Sequence, residues 1–160
     1  MKHIKPLHFL SVLLISAAIV ITQLSPVQAV ETPPGLNNAY QQVLSSWSAP
    51  LLPARLPFAV INVDTSVSDT HYLIILDINE FQTVAIAAGE NSKRIDALST
   101  DAVQPITLAH QVVGYFLPAG QTDEEPPELS FVIGGINYYV GGWVAPEDLI
   151  AIANSMINNP

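Results

Sequence analysis

Apolar residues recur along this chain in three rhythms, and each rhythm predicts a different element. From Leu7 to Leu24 they run almost without interruption ("LHFLSVLLISAAIVITQL"), the apolar centre of an export signal. From Leu36 to Trp47 ("LNNAYQQVLSSW") they fall at Leu36, Tyr40, Val43, Leu44 and Trp47, one side of a helix. Pro50, Pro53 and Pro57 then keep the chain extended. Past them the period shortens to two. "FAVINV" (58–63), "HYLIILDI" (71–78) and "TVAIAA" (83–88) read as strands, rich in branched and aromatic residues. The connections "DTSVSDT" and "NEFQ" are short enough for antiparallel neighbours.

Glu90 to Pro105 is a polar interlude, with a helical turn expected around Ile95 to Leu98. A fourth strand, "HQVVGYFL" (110–117), stops at Pro118, and "AGQTDEEPPE" after it spells a solvated acidic loop. "LSFVI" and "INYYV" are two more strands, joined by Gly134-Gly135. Primed hairpin turns need positive φ at both central residues, which glycine supplies without strain. Tyr138 and Tyr139 must then point to opposite sheet faces. Gly141-Gly142 should release the chain from the sheet, with Trp143 covering the exit. Pro146 suits the first position of a helix, and Glu147 and Asp148 complement its positive end. Leu149, Ile152, Ala153 and Met156 form its apolar stripe. The expected fold is a single α+β domain. Its antiparallel, curved sheet of five or six strands would carry the N- and C-terminal helices on one face.

The beginning of the chain sets the compartment. Lys2, His3 and Lys5 precede the apolar run, Pro26 ends it, and Val27-Gln28-Ala29 fits a small-x-small cleavage site. A signal peptide over 1–29, cut after Ala29, leaves a domain over 30–160 with a mobile lead-in at 30–35, secreted or periplasmic. The alternative is an uncleaved inner-membrane anchor, because the run nearly reaches the ~20 residues that span a bilayer. Membrane contact would then be made through that segment alone. The chain has no cysteine, so neither disulfides nor an acylated cysteine can hold or anchor it. Without the leader, Arg55, Lys93 and Arg94 remain against fourteen acidic residues. Nucleic acid and anionic headgroups would be repelled, and a ligand should be neutral or cationic at its exposed end.

Candidate chemistry is sparse. His71 and His110 are the imidazoles left after cleavage, and a shared metal would need their strands adjacent. No nucleophile elbow, zinc-protease helix or phosphate-binding glycine loop occurs, and nothing implies a cofactor or a metal. Aromatic residues concentrate instead in the last half of the sheet. Tyr115, Tyr138, Tyr139 and Trp143 carry polar tips suited to a half-wet binding mouth, and are the candidate ligand-binding residues.

The stretch "ELSFVIGGINYYVGGWVAPEDLIAIANSM" (128–156) resembles the end of a bacterial extracytoplasmic domain family of unknown function. That family is found at the C-terminal ends of membrane-anchored regulators and in secreted proteins. Phe131, Gly135, Tyr138 and the run Glu147, Asp148, Leu149, Ile150, Ile152, Ala153, Ser155 stand at its matching places, with Phe131 where the family often has tryptophan. "LLPARLPF" (51–58) looks like its proline-bearing lead into the first strand. The family is distantly similar to lipoprotein-carrier-type folds, which implies binding of a lipid or peptide. The functional expectation is therefore an exported, non-catalytic domain. It would bind an apolar small molecule, lipid or peptide, or an envelope protein, through the sheet face opposite its helices. The alternative is an envelope hydrolase that uses carboxylates or a single histidine base.

Overall fold

The computed structural model describes residues 34–90, 92–98, 100–120 and 125–158, of which the side chain of residue 34 is not described. The export signal, its cleavage site and most of the acidic stretch 121–125 lie outside them. Seven strands form one antiparallel sheet: β1 (Asn62–Val67), β2 (His71–Asn79), β3 (Gln82–Gly89), β4 (Gln104–Thr107), β5 (Val113–Leu117), β6 (Glu128–Ile133) and β7 (Ile136–Gly142). The helices are α1 (Pro34–Ser46) and α2 (Pro146–Ile157). Across the sheet the order is β1-β2-β3-β7-β6-β5-β4. Two meanders, β1 to β3 and β4 to β7, are therefore zipped together where β3 pairs with β7. The fold is α+β and antiparallel as expected, with seven strands rather than five or six.

The additional strand is β4. It is four residues long, carries Pro105 and lies at a sheet edge, where a missing backbone donor is tolerated. The first strand also sits further along than its apolar run suggested. β1 occupies 62–67, most of the stretch read as a loop, and pairs with β2 from Asn62↔Asp77 to Val67↔Tyr72. Ser68 closes this hairpin, its Oγ accepting from the N–H groups of His71 (3.2 Å) and Thr70 (3.4 Å). The turn is thus reduced to Ser68–Thr70, and the preceding Thr and Val are free to pair. His110 does not begin a strand. It stands in a kinked turn with φ 52°, followed by Gln111 at φ 61°, and β5 starts only at Val113. Pro34 and Gly35, read as lead-in, already belong to α1.

Both helices feed one core. Leu36, Ala39 and Val43 of α1 and Leu149, Ile152, Ala153 and Met156 of α2 join Tyr72, Ile74, Leu76, Val84, Ile86, Val140 and Leu129 in a single buried cluster. The even-numbered residues of β2 and β3 supply it, as a period of two requires. Leu44 is half exposed and lies outside this helix face, where Ala39 takes part instead. The Gly134-Gly135 turn has φ 61° and 83°, the positive pair that a primed hairpin demands. Gly141 and Gly142 lie within β7, so the chain leaves the sheet after them.

Alternation fails in β6, where Glu128, Leu129, Ser130 and Phe131 are all buried. The cause is the long connection from β3 to β4. It must pass β7, β6 and β5 to reach the far edge, and its 3-10 turn at Ile95–Ala97 packs against β5 and β6. Ile95 is fully buried there, and its N–H donates to Ser130 Oγ (3.1 Å). The part of the sheet face opposite the helices that β5 and β6 form is thereby covered.

Candidate functional site

The crossing connection brings polar groups into the interior and meets each with a partner, until it reaches one end of the sheet. Glu128, with its side chain mostly buried, receives Lys93 Nζ on Oε2 and the Tyr139 hydroxyl on Oε1 (2.9 Å). Tyr139 reaches this carboxylate by lying across Gly141. A Cβ on Gly141 would stand 2.2 Å from the phenol oxygen, so a side chain there would displace the ring. Burial, then the neighbouring Glu128 charge and hydrogen bond, push ionisation of that phenol well above its ordinary range. Arg94 is clamped by Asp96, with Nε 3.1 Å from Oδ1. The hydrogen bond from Arg94 holds the Asp96 carboxyl below the usual range.

Accounting breaks down at Ser92 and Asn137. Asn137 Nδ2 donates to the carbonyls of Ser92 and Lys93, both at 3.2 Å, which fixes which way the amide points. Among the described residues its Oδ1 is buried without a hydrogen-bond partner, and so is Ser92 Oγ. The two residues are only 8% and 9% exposed, and buried polar atoms left unpaired are uncommon and costly. Both line the same cleft, of about 670 Å³, at the end of the sheet.

Four structural pieces converge on that cleft. The β1–β2 turn brings Asp69 and Thr70, the exit from β3 brings Glu90, the β6–β7 hairpin brings Gly135, and the end of α1 brings Trp47. Short backbone bonds tie the pieces: Glu90 N–H to Thr70 C=O (3.1 Å) and Ser92 N–H to Gly89 C=O (3.1 Å). Trp47 donates Nε1–H to the Ser68 carbonyl (2.9 Å) and meets Tyr72 edge-on, with ring centroids 5.2 Å apart. Its polar atom is therefore spent, and what the indole can offer a ligand is carbon surface.

The aromatic residues singled out from the sequence do not meet at this cleft. Tyr138 is buried in the core and stacks on Phe131, with centroids 5.4 Å apart and an interplanar angle of 15°. Tyr139 and Tyr115 share the opposite face, across Ser130. Trp143 stands at the other end of β7, held by its N–H to the Thr83 carbonyl (3.2 Å) and by Gln82 Nε2 to its own carbonyl (2.9 Å). The histidines are also apart. β2 and β5 have β3, β7 and β6 between them, about 19 Å at the usual ~4.8 Å strand spacing. His71 Nδ1 lies 2.7 Å from Ser68 Oγ, but that oxygen is the cap of the hairpin turn.

Asn137 carries one signal in the sequence, a polar residue inside the otherwise apolar "INYYV", whereas Ser92 falls in the polar interlude and nothing there marks it for burial. Because Ser92 Oγ gains nothing from the fold, Ser92→Ala should unfold at equal or higher denaturant, by about 1 kcal/mol. A loss of stability in urea melts would show that the hydroxyl has a partner within the protein. Neither family models, nor curated proteins, nor solved structures give a match to this chain.

Proposed function

We propose that this chain is an exported, non-catalytic binding domain whose ligand enters the cleft at the hairpin end of the sheet. One observation carries the reading: two buried polar atoms, Ser92 Oγ and Asn137 Oδ1, lack partners among the described residues, and both residues line a cavity of ligand size. The surroundings support binding over catalysis. The two histidines stand apart, His71 on β2 and His110 in the turn before β5, and Ser68, beside His71, is occupied as a turn cap. The open strip of sheet over Leu73, Ile75, Ala85 and Ala87, half-buried and on the face away from the helices, is where an apolar body could continue from the cleft. The likeness of residues 128–156 to extracytoplasmic domains agrees with a place outside the cytoplasm.

Titration of a labelled domain with neutral sugars, amines, short peptides and lipids, followed by amide resonances, tests the reading. Shifts should cluster at Thr70, Glu90, Ser92 and Asn137. A panel that leaves those resonances unmoved would defeat it. The export component predicts a secreted chain whose mass begins at Val30. Among the described residues no helix is long and apolar enough to cross a membrane. Protein that retains residues 1–29 and pellets with membranes would establish the anchored form.

A further inference from the structure

We infer that the group this cleft recognises is a protonated primary amine carried on a compact body, as in an amino sugar or a lysine side chain. The inference rests on the cleft being a binding site, and adds the chemistry of what enters it. Asn137 Oδ1 can only accept, because both amide hydrogens are already given to the carbonyls of Ser92 and Lys93. The Ser92 hydroxyl can accept, and can also donate. A ligand group that meets Asn137 Oδ1 must therefore bring a donor, and an ammonium brings three.

Charge points the same way. Two of the three basic residues in the described part of the chain, Lys93 and Arg94, border this region, and both are tied to carboxylates, Glu128 and Asp96. The two acids that line the cleft, Asp69 and Glu90, are exposed and have no ion pair among the described residues. The mouth is thus negative, and Asn137 presents it with an acceptor only. Arg94 also lines the cleft, but its guanidinium is directed to Asp96 by two hydrogen bonds. Trp47 adds carbon surface for the body of the ligand, and an indole favours a nearby cation.

The test compares matched pairs on the intact domain: glucosamine against glucose, and Nα-acetyl-lysine amide against its Nε-acetylated form. Amide shifts and calorimetry at low and at physiological salt report binding. At least one amine should bind about ten-fold more tightly than its neutral partner, and the advantage should shrink as salt rises. Which pair responds identifies the source, amino sugar or peptide. Asp69→Asn and Glu90→Gln, both surface changes, should each reduce the advantage. Ser92→Ala should weaken binding without lowering the melting temperature. A neutral member that binds as well as its amine overturns the amine assignment and leaves the binding site standing. If no member of either pair moves the cleft resonances, while another class of the wider panel does, the amine assignment again falls alone. Silence from the whole panel removes both.

Discussion

Ile152→Asp is expected to cost about 3–5 kcal/mol, a large part of the domain's stability, and to lower its urea midpoint sharply. Ile152 lies midway along α2, is fully buried, and belongs to the cluster that joins both helices to the sheet. A carboxylate there would have no cation within the cluster, which is made of apolar side chains and tyrosines. It must either remain charged in an apolar site or take up a proton, and both routes are costly. A domain of this size commonly has ~5–15 kcal/mol in total, with no disulfide here to limit the loss. Ala151→Asp is the matched control, because Ala151 faces solvent on the same helix and should shift stability by no more than about 0.5 kcal/mol. Urea melts of the two variants against the parent decide the matter. Equal midpoints for Ile152→Asp and the parent would mean that α2 is not part of the core.

The reason α2 was legible is that three signals coincide on it: proline at the first position, acids in the first turn and an unbroken apolar stripe. The same holds for β2, β3 and the β6–β7 hairpin, where alternation and turn chemistry agree. Where a single signal had to serve, the reading slipped. "DTSVSDT" is polar enough to look like a loop, yet Val63, Thr65 and Val67 alternate inward once Ser68 closes the turn. β4 has four residues and a proline, too few to show a period. The cleft was beyond reach for a different reason. Its residues come from the end of α1, from two turns and from the β3 exit, and what gathers them is the strand order. That β7 returns to lie between β3 and β6 is settled by pairing across the whole sheet, and no local pattern encodes it. The crossing connection it forces is what buries Ser92 against Asn137.

The second large effect concerns alkali. Tyr72 is fully buried and donates its hydroxyl to the Leu51 carbonyl (2.7 Å), and Tyr40 donates to the Pro53 carbonyl (2.8 Å). Burial pushes ionisation of both phenols well above the ordinary value, since a phenolate could neither keep these bonds nor be solvated. In the unfolded chain each loses its proton near pH 10. Below about pH 10 folded and unfolded states hold the same protons, and these residues give no pH dependence. Above it the unfolded state sheds protons that the folded state retains, so stability falls as pH rises. Two such groups give a slope on the order of 3 kcal/mol per pH unit once the pH is well past 10. Tyr139, buried and bonded to Glu128, adds to the fall in the same direction. The net charge of −9, growing more negative in alkali, adds self-repulsion. The domain should therefore be flat in stability from neutral pH up to about pH 10 and then unfold in one steep step within roughly one to two pH units. Absorbance at the tyrosinate band and far-ultraviolet circular dichroism should change together in that step. Tyr72→Phe should make it shallower by about one proton's worth of slope. A gradual tyrosinate titration centred near pH 10 with the secondary structure intact would mean that Tyr40 and Tyr72 meet solvent, and the packing of α1 and the 50–57 segment over the sheet would have to be redrawn.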